Sequence, residues 1–274
     1  MLIPSSPGLE VTPKLFLSNR LGKCPRGSAD YHDTVMSWSR SLQAQGQWVY
    51  RAQVTKSMKL ELKDITLRFE DRTLLDNTSL TIDQGDFIVI RGPSGSGKSS
   101  LLRLLNRLAE PSSGRIYVDE TPLDDLEAPT FRRRVGYVPQ TPVLIPGSVQ
   151  ENLTLPYRFR SSMDSSPDTS RFEADLKSLN LKITLADDTE NLSVGEKQRI
   201  TLLRTLSTNP DVILADEPTS ALDPDSRTIV ETRLKSVNRD RNTTIVLVTH
   251  LEFDTVGAQT RQFTIKNARL EEVT

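Results

Sequence analysis

Residues 92–99 run Gly92-Pro93-Ser94-Gly95-Ser96-Gly97-Lys98-Ser99, a complete G-x-x-x-x-G-K-[ST] pattern. These residue types at this spacing suit a chain of phosphates. Glycines at 92, 95 and 97 let the backbone curl tightly and turn its N–H groups inward. Lys98 supplies a charge for the β- and γ-phosphates of a nucleoside triphosphate, and the Ser99 hydroxyl an oxygen for Mg²⁺. Ser99 and Ser100 open a helix, and its unpaired N–H groups and partial positive charge favour an anion. A second chemical stretch lies 118 residues beyond Lys98, where Val212-Ile-Leu-Ala215 leads into Asp216-Glu217-Pro218. Asp216 is placed to hold Mg²⁺ directly or through water, and Glu217 to polarise an attacking water as a general base.

Both stretches need rigid strands behind them. Phe87 to Ile90 is a short apolar run directly before the glycines, and Leu101, Leu102, Leu104 and Leu105 recur at helical spacing after them. Val212–Ala215 and Thr244–Thr249 are further buried-strand runs, with helical stretches at Ser193–Leu206 and Thr228–Val237. Such alternation predicts an α/β fold of the P-loop NTPase type, a mostly parallel sheet with helices on both faces and ligands at the carboxyl ends of its strands. Leu60, Leu62, Ile65, Leu67 and Phe69 alternate instead, and with Leu74-Leu75 and Leu80-Ile82 predict an antiparallel β-subdomain on the N-terminal side. Residues 141 to about 191, broken by Pro142, Pro146 and Pro156, predict a small, mostly helical insertion with a polar loop at Ser161–Ser170. Gln262–Glu272 predicts a closing hairpin that turns near Asn267-Ala268.

The 274 residues, 36% hydrophobic, suffice for one such domain, and a net charge of −1 gives no footprint for nucleic acid or an anionic membrane. No apolar run approaches the roughly 20 residues of a membrane helix. Residues 1–57 differ from the rest: they are Ser-rich and carry a net +4, against −5 for the remainder. They are expected to be a flexible tail or the product of an over-extended start, with Met58 as the natural one, or else a weak transit peptide. The lone cysteine, Cys24, lies there and cannot form an internal disulfide, which suits a reducing compartment.

The loop, the acidic pair and four further pieces together resemble the ATP-binding subunit of an ABC transporter, over about residue 59 to the end. Gln140 stands 42 residues after Lys98, where the family has its Q-loop glutamine. Leu192-Ser193-Val194-Gly195-Glu196-Lys197-Gln198-Arg199 matches the family signature, with Val194 in place of one glycine and Glu196 in place of a glutamine. Ser220-Ala-Leu-Asp223 matches the D-loop, and His250, at a strand end, the switch histidine. Phe69 matches the aromatic that stacks on adenine, its other reading being a core phenylalanine. The segment Thr141–Leu153 is similar to that of small stand-alone ATPase subunits of bacterial metal-export and plant aluminium-tolerance type.

The resemblance implies ATP and Mg²⁺ as cofactors, with Ser99, Gln140 and Asp216 near the metal. It implies Glu217 as base, with Gln140 and His250 sensing the γ-phosphate. Ser193 and Gly195 would act on the ATP of a second copy in a head-to-tail dimer. The partner would be an integral membrane permease, which would hold the chain at the cytoplasmic face of a membrane. The alternative is a soluble ABC ATPase that serves no transporter, a class that usually carries two cassettes or large insertions.

Overall fold

The computed structural model describes residues 58–159, 166–255 and 259–273, and the backbone of two strands before them. Cys24, most of the 1–57 tail and residues 161–165 of the expected polar loop lie outside the described residues. The chain divides into two units, Met1–Lys56 and Ser57–Thr274. In the first, β1 (Thr34–Leu42) and β2 (Trp48–Lys56) pair antiparallel, Thr34 opposite Lys56 and Leu42 opposite Trp48. Composition alone pointed to no regular element there. The period-two pattern Trp48, Tyr50, Ala52, Val54 accounts for the strand, and the register sets Trp38 opposite Ala52 and Met36 opposite Val54.

The second unit opens with β3 (Leu60–Phe69) and β4 (Arg72–Ile82). They join β6 (Ser113–Val118) and β7 (Thr121–Pro122) in an antiparallel sheet of order β4-β3-β6-β7. Between them come β5 (Phe87–Arg91) and α1 (Lys98–Leu105). Next are α2 (Ala128–Arg134), β8 (Val135–Val138), α3 (Val149–Thr154), α4 (Phe172–Ser178) and α5 (Val194–Ser207). The chain closes with β9 (Val212–Asp216), α6 (Pro224–Arg241), β10 (Thr244–Val248), β11 (Thr260–Lys266) and β12 (Arg269–Val273). The larger sheet has the order β12-β11-β5-β10-β9-β8, parallel throughout except for the β11–β12 hairpin at its edge. That hairpin turns at Asn267-Ala268, both at positive φ.

Successive side chains of a strand point to opposite faces, and in β5, β9 and β10 both faces are covered. Ile88, Ile90, Leu214, Val246 and Val248 join one core with the leucines of α1 and with Leu60, Leu62 and Ile65 of the antiparallel sheet. Phe87, Val89, Ile213, Ala215, Ile245 and Leu247 join the other, with Ile200 and Leu203 of α5, Val230 and Leu234 of α6, and Phe172 and Leu176 of α4. This is why the strands are unbroken apolar runs. The 141–191 stretch consists of short helical pieces, α3, α4 and three-residue to four-residue 3₁₀ turns, joined by loops. Asn152 secures its first loop: its buried amide donates to the carbonyls of Ile145 (2.9 Å) and Ser148 (3.1 Å) and accepts from Ile145 N (2.9 Å). Among the described residues, no helix is long and apolar enough to cross a membrane.

Candidate functional site: a phosphate-binding cleft

Parallel pairing aligns the ends of four strands on one edge. Val248 of β10 stands opposite Ile90 of β5 and Asp216 of β9, and Ala215 opposite Val138 of β8. The residues that follow each strand therefore meet: the glycine loop after β5, Gln140 after β8, Glu217 after β9 and His250 after β10. Phe69, Ser94, Gly95, Gly97, Lys98, Ser99, Ser100, Gln140 and Glu217 line one cleft of about 330 Å³. Pro93 and Ser96 line a neighbouring hollow against Ile265–Ala268.

The loop is held open from inside. Lys98 is buried, and its ammonium donates to the carbonyls of Gly92 (2.9 Å) and Pro93 (3.0 Å). Gly97 has φ 100°, and a Cβ there would stand 3.0 Å from the Leu74 carbonyl, so a side chain would be strained twice over. At Gly92 a Cβ would meet Ser96 Oγ at 2.8 Å and the Ile265 carbonyl at 2.9 Å.

Asp216 is buried and doubly engaged. Its Oδ1 accepts from the Ser99 hydroxyl (2.8 Å) and its Oδ2 from the Tyr137 phenol (2.9 Å). Burial, and then the Asp216 charge, push the Tyr137 phenol up to about 12, so it stays a donor at any ordinary pH. The Arg103 guanidinium of α1, close to the same phenol, offsets part of that rise. Ser99 and Asp216 thus set two oxygens side by side, a donor set that fits Mg²⁺. Mg²⁺ is usually held by one or two carboxylates together with substrate phosphates and water. Among the described residues no group of three or more His, Cys, Asp or Glu could hold a metal by itself.

Glu217 adopts a left-handed backbone, φ 47°, which is unusual for a residue with a side chain. Three bonds keep it there: its N–H donates to the Val248 carbonyl (3.0 Å), and its own carbonyl accepts from Ser220 N (3.2 Å) and Ser220 Oγ (3.1 Å). The side chain turns to Gln140 and His250. One oxygen, Oε2, accepts from Gln140 Nε2 (3.2 Å) and lies 2.9 Å from His250 Nδ1. A neutral ring that donates from Nδ1 has its Nε2 free as an acceptor, whereas the imidazolium donates from both nitrogens.

Phe69 is 66% exposed, so it is a rim residue of the cleft and not part of a core. Ser193 and Gly195 are not among the residues lining the cleft. Ser193 caps α5 in a closed box: its hydroxyl donates to Glu196 Oε2 (2.6 Å) and accepts from Glu196 N (3.3 Å), and its own N–H donates to Oε2 (2.9 Å). These bonds hold the Glu196 carboxyl below the usual range. The next helix N–H groups, of Val194 and Gly195, have no intrahelical acceptor. Gln198, further along α5, donates to the Pro139 carbonyl (3.2 Å) and so ties this helix to the loop bearing Gln140.

Sequence reasoning missed Tyr137, Arg103 and Arg72. Tyr137 meets Asp216, and Arg103 stands beside that phenol, only because β8 and α1 lie against β9, and Arg72 lines the cleft from β4. A tyrosine two residues before Pro139-Gln140, in a strand ending beside the acidic pair, was the available signal.

The sequence description of the ABC transporter family matches residues 75–220. Protein STAR1 of Oryza sativa subsp. japonica is 35% identical over 236 residues, 82% of this chain and 64% of that protein, so the chain spans just under two thirds of it. ABC transporter I family member 17 of Arabidopsis thaliana is 37% identical over 195 residues, 70% of this chain and 73% of that protein. A solved dimer of the ATP-binding cassette MJ0796 of Methanocaldococcus jannaschii, in a post-hydrolysis state with ADP and Pi, superposes with TM-score 0.67 at 32% identity. It covers 78% of this chain and 99% of that one. The chain belongs to the ABC transporter family, as one of its ATP-binding ATPase cassettes.

Proposed function

We propose that this chain binds MgATP in the cleft below Phe69, hydrolyses it as a head-to-tail dimer of two copies, and thereby drives a separate membrane permease. The observation that carries this reading is the convergence of Lys98, Ser99, Asp216, Glu217, Gln140 and His250 on one sheet edge, with Ser193 and Gly195 left out of it.

The loop N–H groups of Gly95–Gly97 and the Lys98 ammonium bind the phosphates, and Phe69 stacks on the base. Ser99 and Asp216 hold Mg²⁺, which when bound neutralises charge on the phosphate oxygens; Gln140 reaches the same region. Glu217 takes the proton of the attacking water. Its left-handed backbone aims the carboxylate across the strand ends, and Gln140 and His250 hold it in place until nucleotide enters. The α5 start supplies unpaired N–H groups and positive potential to a phosphate on the opposite copy. The loop after Gln140, fixed by Asn152, faces the permease, which places the chain peripherally at the cytoplasmic side of a membrane.

Glu217→Gln keeps shape and removes the base. It should lower turnover about 10²–10⁴-fold and accumulate as an ATP-dependent dimer on size-exclusion chromatography. Adding Gly195→Asp should dissolve that dimer. A Glu217→Gln protein that stays monomeric with MgATP, alone and with its permease, would falsify the shared site. Residues 58–274 carry the activity in this reading, so a chain starting at Met58 should match the full chain in solubility and in ATPase rate.

A further inference from the structure

On the sheet edge opposite the nucleotide lies a small cavity of about 90 Å³, between the C-terminal ends of α5 and α6 and the start of α4. It sits where the chain enters β9 and β10. Each strand has five residues, so it is separated from the catalytic edge by about 16 Å of strand. None of its lining residues lines the nucleotide cleft.

Three guanidiniums line it, those of Arg171, Arg233 and Arg241, against two carboxylates, Asp168 and Asp175. Only one ion pair forms among these groups, Arg233 Nη2 to Asp175 Oδ1 at 3.1 Å. The Nε of Arg233 is buried with no hydrogen-bond partner. Arg241 donates to a neutral acceptor, Asn209 Oδ1, at 2.7 Å. Burial first, then the charges of Arg233 and Arg171, hold the Arg241 guanidinium below its usual range, against the opposing charges of Asp175 and Asp240. Three cations gathered around a concave pocket repel one another, and a buried donor goes unused. A planar, always-charged guanidinium is the side chain best matched to a tetrahedral oxyanion.

We propose that this cavity binds a small tetrahedral oxyanion of the phosphate or sulfate class. Such an ion offsets the repulsion among the three arginines, which outnumber the two carboxylates lining the cavity. The volume is several times what one water needs, yet under a third of the nucleotide cleft, which selects a free oxyanion over a nucleotide or other large phosphoester. Inorganic phosphate is the product of this chain's own ATP hydrolysis, so the site meets its ligand wherever the cassette turns over.

The test is thermal unfolding of the full chain at constant ionic strength, with chloride exchanged for inorganic phosphate or sulfate at about 10 mM. Four proteins are compared: wild type, Lys98→Ala, Arg171→Gln, and Arg171→Gln with Arg241→Gln. Phosphate should raise the midpoint of wild type and Lys98→Ala by about 3–5 °C, the size expected when a ligand is present at ten times its Kd. The rise should shrink in Arg171→Gln and vanish in the double variant. Arg171 is exposed, so its replacement does not threaten folding. In chloride alone, the double variant should melt no lower than wild type, because it removes two like charges and keeps a polar group beside Asn209. Equal rises in all four proteins, or no rise in any, would overturn the proposal. So would a rise lost in Lys98→Ala and kept in the double variant, which would assign the ion to the glycine loop. A larger rise with glycerol 3-phosphate than with inorganic phosphate would overturn the choice of a free oxyanion.

Discussion

The end of β9 and the start of α5 both present polar groups suited to a phosphate, yet they are built in opposite ways. At the end of β9, Asp216 and Glu217 are held by residues from four other places in the chain: Ser99, Tyr137, Gln140 and His250. Each partner is at least 33 residues away in sequence. At the start of α5, Ser193 and Glu196 satisfy each other within four residues. The first arrangement exists only in the folded sheet; the second would form in any helix with that sequence. One site is preorganised by tertiary structure, and in the proposed reading it holds a nucleotide's phosphates. The other is a self-sufficient cap, and in the proposed reading its remaining N–H groups serve a second chain.

The contrast can be broken most forcefully at Lys98. Lys98→Ala removes the ammonium that bridges the Gly92 and Pro93 carbonyls and, in the proposed reading, the cation that meets the phosphates. Phosphate release should fall about 10²–10³-fold, the loss expected for a preorganised electrostatic contact, while circular dichroism stays that of the wild type. Activity within tenfold of wild type would remove the loop from the catalytic half.

Tyr137→Phe probes the tertiary bracing alone. It deletes one of the two hydrogen bonds to Asp216 and leaves the Asp216 carboxylate and Ser99 in place. A loss of about tenfold in turnover is expected, the size of one hydrogen bond to a charged group. Because the phenol titrates only at about 12, the pH profiles of variant and wild type should run parallel from pH 6 to 9. A change in profile shape would show that Tyr137 takes part in proton transfer, and an unchanged rate would show that Asp216 needs no bracing.

Glu196→Gln should have the smallest effect, because it touches only the local cap. The folded Glu196 carboxyl titrates below its ordinary value, so its contribution to stability is present above the unfolded pKa and is lost as pH falls through the folded one. Wild type should therefore lose stability below about pH 4.3 more steeply than Glu196→Gln, with midpoints at neutral pH within about 1–3 °C of each other. ATPase rates should agree within about threefold, since Gln can still accept from Ser193. If Glu196→Gln abolished the ATP-dependent dimer as Gly195→Asp is expected to, the cap would belong to the shared site itself.

Much of the chemistry was legible because it is encoded locally. The order strand, glycine loop, Lys98-Ser99 and helix needs no distant partner to be recognised, and neither does an apolar strand ending in Asp216-Glu217. Continuous apolar runs at Phe87–Ile90, Val212–Ala215 and Thr244–Val248 follow from burial on both faces, so the parallel sheet could be anticipated from them. The β1–β2 hairpin was not anticipated, because a polar, Ser-rich background obscures a period-two pattern.

Which residues meet was decided elsewhere. Sequence places Gln140 and His250 on two different strand ends, 110 positions apart. Only the order β5-β10-β9-β8 brings both onto one oxygen of Glu217. The left-handed turn at Glu217, the rim position of Phe69 and the phenol beside Asp216 likewise depend on which strands are neighbours. The reason is physical: propensity and periodicity act over a few residues, whereas a cleft at a sheet edge is set by strand order and register, which are properties of the packed whole.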